Sequence, residues 1–458
     1  MGHAKTTRKS IEHKGAFGFV SSTPGLLMAH FPTGACSVDR CVITSPFSIG
    51  RHENNALCVQ DEKISGEHCR ISKDKRGYWL EDLGSTNGTF LDGEQVYGPK
   101  PLKDISVIRI GATVMVFHRK ANLLLAPSPS ERYELLGPFH ADPLVQLLKE
   151  AARSKRHLLL AGPSGVGKEL AARTVAAIAG EGGPALKVTA HNAARFASED
   201  EATTTLFGVG SRVFTNVESR PGLIETATDG VLFLDEIHNL PSRVQRSLLR
   251  VMEDGITSRI GETAEHAVSV RFVFASNAPA PEYGLAPDLL ARLRVVSIPT
   301  LEERVADIPR IFKVLLSRAL ERCGLEPRTV VPLLGGDHFE AICLDGFVAD
   351  NVRGLIDLAD RIVTRIDTGV APQEAVLTIF ADRFSDGPVA KRYRERDGEG
   401  PGSSHYEQNR EIIMAVYREC RGNLSATERT LKARGIKCTR RWLGVFAEKW
   451  GLREPRTT

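Results

Sequence analysis

Two short segments, about 65 residues apart, constrain the fold of this chain more than any others. The first reads GPSGVGKE at 162–169, between a predicted apolar strand at Leu158–Ala161 and a predicted helix over Lys168–Ile178. The second reads VLFLDE at 231–236, a predicted buried strand that ends in two acids. A glycine-rich turn between strand and helix lets backbone N–H groups converge on phosphates, and the helix N-terminus adds positive potential. The pair predicts an α/β domain that binds a nucleotide.

The residue types in these segments suit phosphoryl transfer from ATP. Lys168 supplies a full positive charge for the β- and γ-phosphates, Asp235 can hold Mg²⁺, and Glu236 can polarise an attacking water. A third strand, Arg271–Ala275, leads to Asn277, which is placed to sense the γ-phosphate. The alternative is that the two acids only cap a strand end. The candidate nucleotide-binding loop comprises Gly162, Pro163, Ser164, Gly165, Val166, Gly167, Lys168 and Glu169.

The rest of the chain divides by pattern into further units. Short strands with turn residues about every ten positions occupy the first 120 residues and predict an all-β sandwich. A Pro- and Ser-containing break at 126–130 precedes the α/β rhythm of residues 137–381. The polar, glycine-rich stretch 397–405 predicts a linker, and the last fifty residues predict a compact helical unit. We therefore predict three folded units.

Composition and charge exclude several classes of protein. No run approaches 18 apolar residues, the basic N-terminus lacks an apolar continuation, and the eight cysteines form no CxxC pair. These features predict a cytoplasmic protein with free thiols and without membrane association. The net charge is +4, but residues 388–458 hold 16 basic and 9 acidic side chains. This basic end indicates a polyanionic partner, with a merely solvated basic face as the alternative.

The α/β segment resembles the AAA+ domain of sigma-54-dependent activators, the bacterial enhancer-binding proteins. The resemblance rests on GPSGVGKELAAR, LFG at 206–208, GLIETATDGVLFLDEI at 222–237, DLLARL at 288–293 and NVRGL at 351–355. It implies an ATPase domain over 137–381 with a helical lid at about 305–381, acting as a homo-oligomeric ring, a hexamer. It implies that Glu169 is usual at its position, that Asp235 and Glu236 form the Walker B pair, and that Asn277 and Arg353 sense nucleotide. Either His191 or Asn192 would correspond to the residue that holds the catalytic glutamate.

Two departures from the family pattern bear on activity and output. The family offers two arginine fingers in a segment like FRxDLxxRL, whereas this chain has Ala286 at the first position and keeps only Arg292. The sigma-54-contacting loop GAFTGA corresponds to RVFTNV at 212–217, which keeps Phe214 and Thr215 but loses both glycines. We expect Phe214 and Thr215 to contact sigma-54. The alternative is that Phe214 packs in a loop without an output function.

The β-rich segment resembles the forkhead-associated domain over about residues 24–120. The resemblance rests on Gly50-Arg51, on Ser65-Gly-Glu-His68 and on GSTNGT at 84–89. A guanidinium and hydroxyl donors on rigid loops suit a phosphate dianion, so Arg51, Ser65 and Thr86 are predicted to bind phosphothreonine, with Asn87 on the peptide backbone. Gly66 departs from the Arg or Lys common after the serine. The alternative is a domain of this fold that has lost phosphate binding.

The C-terminal unit, residues 406–454, resembles the Fis-like helix-turn-helix of the same activators. An amphipathic helix with Ile412, Ile413, Val416 and Tyr417 precedes a predicted capping box, Ser425 to Glu428, and a turn at 433–436. The alternative is a helical bundle that does not bind DNA. The predicted DNA-facing residues are Thr439, Arg440, Arg441 and Lys449.

Together these features predict a sigma-54-dependent transcriptional activator with an all-β sandwich, an α/β AAA+ ATPase with a helical lid, and a small all-α helix-turn-helix. ATP and Mg²⁺ are its predicted cofactors. Its predicted partners are the sigma-54 RNA polymerase holoenzyme, enhancer DNA, a threonine-phosphorylated protein and further copies of itself. The alternative is a DNA-bound phosphoprotein scaffold or repressor with a degenerate ring uncoupled from sigma-54.

Overall fold

A computed structural model describes three regions of the chain: an N-terminal sandwich, a central α/β unit with a lid, and C-terminal helices. The described residues are 23–32, 36, 38–125, 133, 135–154, 156–180, 186–210, 219–384, 410–420, 422–434, 436 and 443. No helix within these ranges is long and apolar enough to cross a membrane.

Two antiparallel-rich sheets form the N-terminal sandwich. The six-stranded sheet has the order β2-β1-β11-β10-β7-β8 and the five-stranded sheet has the order β4-β3-β5-β6-β9. Side chains from both sheets, such as Met28, Ile71, Leu80 and Phe117, form its core. The strands are β1 Gly25–His30, β2 Arg40–Val42, β3 Phe47–Gly50, β4 Leu57–Cys58, β5 Cys69–Asp74, β6 Gly77–Asp82, β7 Thr89–Leu91, β8 Glu94–Gln95, β9 Lys100–Pro101, β10 Ile105–Ile110 and β11 Thr113–His118.

A five-stranded parallel sheet, in the order β13-β16-β19-β12-β20, forms the centre of the chain. The three inner strands, β16, β19 and β12, carry continuous apolar runs because helices cover both faces of the sheet there. The strands of this region are β12 His157–Ala161, β13 Val188–Asn192, β14 Gly208–Val209, β15 Arg220–Pro221, β16 Gly230–Asp235, β17 Ile256–Thr257, β18 His266–Ala267, β19 Val270–Ser276 and β20 Leu293–Ser297. Its helices are α1 Ala141–Arg153, α2 Lys168–Ala179, α3 Glu199–Phe207, α4 Leu223–Thr226, α5 Ser242–Asp254 and α6 Pro287–Ala291.

The lid is helical and follows β20. Its longest helices, α7 and α10, carry apolar faces that pack against each other, with Phe312 and Leu358 among the buried side chains. The lid helices are α7 Ile308–Arg322, α8 Pro327–Val330, α9 Gly336–Asp345, α10 Val352–Asp367 and α11 Pro372–Arg383. The predicted combination of an all-β unit, an α/β unit with helical lid and C-terminal helices is confirmed.

The sandwich packs directly on the lid, and the two share one hydrophobic core. In β1, Leu26 and Met28 face the core of the sandwich, while Leu27 and Ala29 belong to the cluster that contains Phe312 of α7. Both faces of the strand are therefore buried, which explains why GLLMA is apolar without alternation. Ion pairs surround this contact: Arg109–Glu340 at 2.7 Å and Arg310–Asp39 at 2.6 Å.

Two C-terminal helices are described, α12 Arg410–Glu419 and α13 Leu424–Ala433. Ile413, Val416 and Tyr417 are buried as predicted, but Ile412 is 45% exposed and lies outside the buried face. The predicted capping box at Ser425 is wrong, because α13 begins one residue earlier, at Leu424. Asn423 caps the helix instead: its Oδ1 accepts a hydrogen bond from Ala426 N at 3.2 Å, and asparagine is among the preferred N-cap residues.

Candidate functional site

The glycine-rich loop lies between β12 and α2, at the carboxyl edge of the parallel sheet. Gly165 and Gly167 adopt positive φ angles of 79° and 101°, which L side chains rarely adopt. A Cβ atom on Gly165 would lie 2.3 Å from Asp350 O, so the lid leaves no room for a side chain there. The loop thus requires glycine both for its conformation and for the close approach of the lid.

Lys168 is enclosed at the first position of α2. Its Nζ donates to Gly162 O at 2.8 Å and to Pro163 O at 3.0 Å, and the residue is 8% exposed. Burial lowers the pKa of Lys168, and the charges of Asp235 and Glu236 oppose that effect. The ammonium is therefore held inside the loop, near the two acids. Glu169, by contrast, is exposed and pairs with Arg173 one helical turn later at 2.8 Å.

The lid holds the loop through four hydrogen bonds. Arg353 Nη1 donates to Ser164 Oγ at 2.6 Å, and Asn351 Nδ2 donates to Ser164 O at 3.1 Å. Val352 N donates to Gly165 O at 3.1 Å. Arg304, whose pKa is lowered by burial, donates from Nη2 to Val166 O at 3.1 Å. These contacts join the loop to the lid. The sequence did not indicate the part of Asn351 and Arg304 in this contact.

The two acids stand where β16 ends. Asp235 is the last residue of the strand, and its Oδ1 accepts from Glu236 N at 2.9 Å. Glu236 follows with φ at 52°, a conformation that turns the chain out of the sheet. β16 and β12 both pair with β19 in parallel, so their carboxyl ends meet at one edge. Asn277 directly follows β19 at the same edge and is exposed.

The two candidates for holding the catalytic glutamate make other contacts. The His191 ring stacks on Phe196 with centroids 4.6 Å apart, and Asn192 Oδ1 accepts from Ala194 N at 2.8 Å. Asn192 does lie beside Asp235 in the strand register. The hydrogen bond to Glu236 Oε2 comes instead from Asn239 Nδ2, at 3.3 Å. The sequence did not point to Asn239, because its only distinguishing feature was its position three residues after Glu236.

The candidate arginine finger lies at the end of α6, on the surface. Arg292 Nη2 contacts Glu253 Oε1 at 2.8 Å, with the arginine side chain 63% exposed. Ala286 precedes α6, and its N–H donates to Gln245 Oε1 at 2.9 Å. Arg294 points to α1, where it contacts Glu150 Oε2 at 2.9 Å. Of the two arginines in this segment, Arg292 is therefore the more exposed.

The predicted phosphothreonine residues come together at one end of the sandwich. Ser65 Oγ lies 3.4 Å from Thr86 Oγ1 and accepts from Thr86 N at 3.0 Å. Asn87 Nδ2 donates to Lys63 O at 2.7 Å. Arg51 is exposed and joins the same loops through its N–H, which donates to Ser65 O at 2.9 Å. The three separate sequence motifs thus come together, with the two hydroxyls in contact and the backbone of the exposed Arg51 bonded to Ser65.

Two further side chains hold these loops in place. Asp82 accepts hydrogen bonds from Gly84 N, from the N and Oγ of Ser85 at 2.8 and 2.6 Å, and from the N and Oγ1 of Thr89. Burial alone would raise the pKa of Asp82. The hydrogen bonds from these donors lower the pKa by more than burial raises it, so the pKa lies below its usual value. His68 is fully buried: its Nδ1 accepts from Ser65 N at 3.0 Å and its Nε2 lies 3.3 Å from Gly88 O.

Gly66, the departure from the family pattern, has a structural reason. A Cβ atom at this position would lie 2.0 Å from Cδ2 of His52, so the imidazole covers the backbone where other members carry a long basic side chain. His52, the residue after Arg51, thus occupies the space that a side chain at position 66 would need. A substitution at Gly66 requires His52 to move.

Some predicted residues lie outside the described residues. They are Phe214 and Thr215 of the sigma-54 loop and Thr439, Arg440, Arg441 and Lys449 of the DNA-binding unit. Leu443 is buried with Ile413, Val416 and Leu431.

Comparison with protein families agrees with the two motif sets. Residues 140–299 match the Sigma-54 interaction domain, and residues 47–111 match the FHA domain. The predicted combination of these two domains is confirmed.

The relatives with similar sequences are transcriptional regulators. The DNA-binding transcriptional regulator NtrC of Klebsiella pneumoniae is 31% identical over 262 residues, 55% of this chain and 55% of NtrC. The transcriptional regulatory protein XylR of Pseudomonas putida is 37% identical over 225 residues, 48% of this chain and 38% of XylR. Among solved structures, NtrX from Brucella abortus is 26% identical, covers 68% of this chain and 70% of its own, and gives a TM-score of 0.47. The chain spans about half the length, or less, of the two regulators.

Proposed function

We propose a function on the premise that this chain is a member of the sigma-54 enhancer-binding regulators, with an FHA domain followed in sequence by a sigma-54 interaction domain. It is a transcriptional activator that senses a threonine-phosphorylated protein and couples this signal to ATP hydrolysis and remodelling of the sigma-54 polymerase holoenzyme. The observation that carries the proposal is the convergence of Lys168, Asp235 and Glu236 at one sheet edge, with the lid residue Arg353 on the same loop.

The residues at the sheet edge suit ATP hydrolysis with Mg²⁺. Bound ATP would supply the phosphoanhydride bond, and Mg²⁺ would neutralise the negative charge that develops on the phosphates. Lys168 would bind the β- and γ-phosphates, and the Asp235 carboxylate is the ligand type that Mg²⁺ prefers. Glu236 would orient a water and accept its proton, while Asn239 holds the carboxylate of Glu236. Asn277 and Arg353 would report the state of the nucleotide to the lid.

Hydrolysis in this proposal requires a second copy of the chain. Arg292 is exposed and would stabilise the charge at the active site of the neighbouring subunit in a ring. To do so it must leave Glu253, and an exposed ion pair of this kind costs at most about 1 kcal/mol to break. The cis contact is therefore no obstacle to ring assembly.

The sandwich would recognise phosphothreonine. Arg51 would form charge-assisted hydrogen bonds with the phosphate dianion, and Ser65 and Thr86 would add hydroxyl donors. Asn87 would contact the peptide backbone. The Asp82 and His68 contacts described above fix these loops before the peptide arrives, which reduces the ordering cost of binding.

The output of the proposed cycle is contact with sigma-54 through Phe214 and Thr215, on promoters bound by the C-terminal unit. In the DNA-binding role, Thr439, Arg440, Arg441 and Lys449 would contact the phosphates and base edges of enhancer DNA. The basic composition of residues 388–458 supports a polyanionic partner.

A second candidate function is a DNA-bound scaffold or repressor with a ring uncoupled from sigma-54. Ala286 and the altered loop RVFTNV favour it, because both replace residues that the family uses for hydrolysis in trans and for output. The two functions agree on ATP binding and on phosphothreonine recognition. They differ in turnover and in sigma-54 engagement.

Nucleotide turnover tests the proposed chemistry directly. We expect Lys168→Ala to lose ATP binding, and Glu236→Gln to bind ATP while its turnover falls at least about 100-fold, since general-base catalysis contributes at least this factor. Glu265→Gln is a matched control, because Glu265 is exposed and lies outside the nucleotide-binding loop and the strand ends that carry the site. Equal phosphate release by the wild-type protein and Glu236→Gln would contradict the assignment of the base.

A further inference from the structure

A cleft lies between the sandwich and the lid, beside the phosphothreonine loops. Its volume is about 560 Å³, within the range of about 300–1,000 Å³ that is usual for ligand-binding sites. Both units contribute to its walls. The lining includes Lys63, Asn87 and Gly111 from the sandwich and Asp337, Gln373 and Leu377 from the lid.

The cleft continues the phosphothreonine cluster. Asn87 lines the cleft, and it directly follows Thr86, whose N–H contacts Ser65 Oγ. Lys63 lines it too, and its carbonyl accepts from Asn87 Nδ2 at 2.7 Å. A peptide whose phosphate is bound by Arg51, Ser65 and Thr86 therefore has Asn87 and the cleft next to it on this side.

The base of the cleft fixes the distance between its walls. Arg109 Nε contacts Glu340 Oε2 of α9 at 2.7 Å, and Arg109 Nη1 donates to Gly111 O at 3.1 Å. A Cβ atom on Gly336, at the start of α9, would lie 2.5 Å from Ala112 O, so the backbones of the two units are in direct contact. The lid wall is thus held in place by packing and by a buried ion pair.

The chemistry of the lining suits a peptide. Lys63 presents a positive charge on one wall, and Asp337 and the exposed amide of Gln373 lie on the other. Leu377 adds an apolar surface. Polar groups on both walls, with an apolar side chain on the lid wall, match the alternating backbone and side-chain groups of an extended peptide better than a wholly apolar ligand.

We propose that this cleft binds the residues that flank the phosphothreonine, so that the ATPase lid forms one wall of the phosphopeptide site and contributes to its sequence specificity. The proposal rests on phosphothreonine recognition by the sandwich. Because α11 packs on α10, which carries Arg353, the bound peptide contacts the lid subdomain that also contacts the nucleotide loop.

The test uses the full chain and a library of phosphothreonine peptides randomised at four positions on each side of the phosphothreonine. In the variant Gln373→Lys, we expect the preference for an acidic residue to rise up to about fivefold at a flanking position, the gain of an exposed ion pair. Glu374→Lys is the control, since Glu374 is the exposed neighbour on the same helix. Its profile should equal that of the wild type.

Each outcome has one meaning. Binding that requires phosphothreonine and Arg51, with an identical sequence profile in the wild type and Gln373→Lys, overturns the cleft proposal and leaves phosphothreonine recognition intact. A wild-type protein without any phosphate-dependent selection overturns the phosphothreonine function itself. A changed profile in Gln373→Lys together with an unchanged profile in Glu374→Lys supports the cleft.

Discussion

The ion pair between Arg109 and Glu340 provides the sharpest stability prediction, because it joins the sandwich to the lid. Glu340 is fully buried on α9, and its Oε2 lies 2.7 Å from Arg109 Nε. Arg109 is itself largely buried and also lies over the Phe90 ring, with Cζ 3.9 Å from the centroid. Replacing Arg109 with Met keeps much of the packing volume but removes the guanidinium cation that contacts the buried carboxylate of Glu340.

The expected cost follows from the burial of the pair. Breaking a buried ion pair by removing one partner costs about 3–5 kcal/mol, because the remaining charge loses its compensation. Replacing both partners, as Arg109→Met with Glu340→Leu, should come within about 1 kcal/mol of the wild type, since apolar replacements of buried pairs are often neutral. Since Arg109→Met and Glu340→Leu each break the same pair, the two single costs together should exceed the cost of the double replacement by at least about 5 kcal/mol.

Urea unfolding of the full chain, with hydrogen exchange in β10 and α9, measures this effect on both sides of the contact. The control is Lys103→Met, which breaks the ion pair Lys103–Asp92. The lysine side chain of this pair is 75% exposed, so its loss should cost at most about 1 kcal/mol. If Arg109→Met were no more destabilising than Lys103→Met, the buried junction between sandwich and lid would not exist as described.

Two further predictions concern phosphopeptide binding and acid stability. Arg51→Ala should abolish binding to phosphothreonine peptides in a fluorescence-anisotropy titration without lowering the melting temperature, because Arg51 is exposed; retained phosphate-dependent binding would refute its role. Burial, with the charges of Lys313 and Arg310, lowers the pKa of His30 from 6.5 to about 3. Below about pH 6.5 the unfolded chain therefore binds a proton at His30 that the folded chain does not bind. The stability of the folded chain falls as the pH falls through this range. His30→Gln, which keeps an acceptor for Lys313 Nζ, should reduce the slope of stability against pH by up to one proton between about pH 6.5 and pH 4, and an unchanged slope in urea titrations would contradict this assignment.

The local features of the site could be predicted from the sequence. Each of these features is a contiguous segment whose residue types indicate its chemistry. They are the phosphate loop, the acids at the end of β16 and the three loop motifs of the sandwich. Their convergence also followed, because parallel strands that share an edge bring their carboxyl ends together. The prediction of an FHA domain with a sigma-54 interaction domain is confirmed for the same reason.

Contacts between distant segments could not be predicted. The docking of the sandwich on the lid joins residues more than 200 positions apart, such as Arg109 and Glu340, and no local pattern encodes such a pair. One signal was present: GLLMA in β1 lacks the alternation of a strand with one solvated face, which indicates burial on both faces. The capping residue of α13 was misplaced because Asn423 and Ser425 are both good caps, and only the backbone decides between them.

The most direct test of the activator function is open-complex formation by sigma-54 holoenzyme on a promoter that the purified protein binds, with ATP and the phosphothreonine peptide selected above. We predict open complexes that require ATP, disappear with Glu236→Gln, and disappear with Phe214→Ala although that variant still hydrolyses ATP. A wild-type protein that binds the promoter and hydrolyses ATP but neither engages sigma-54 nor opens the promoter would contradict the activator function and favour the scaffold.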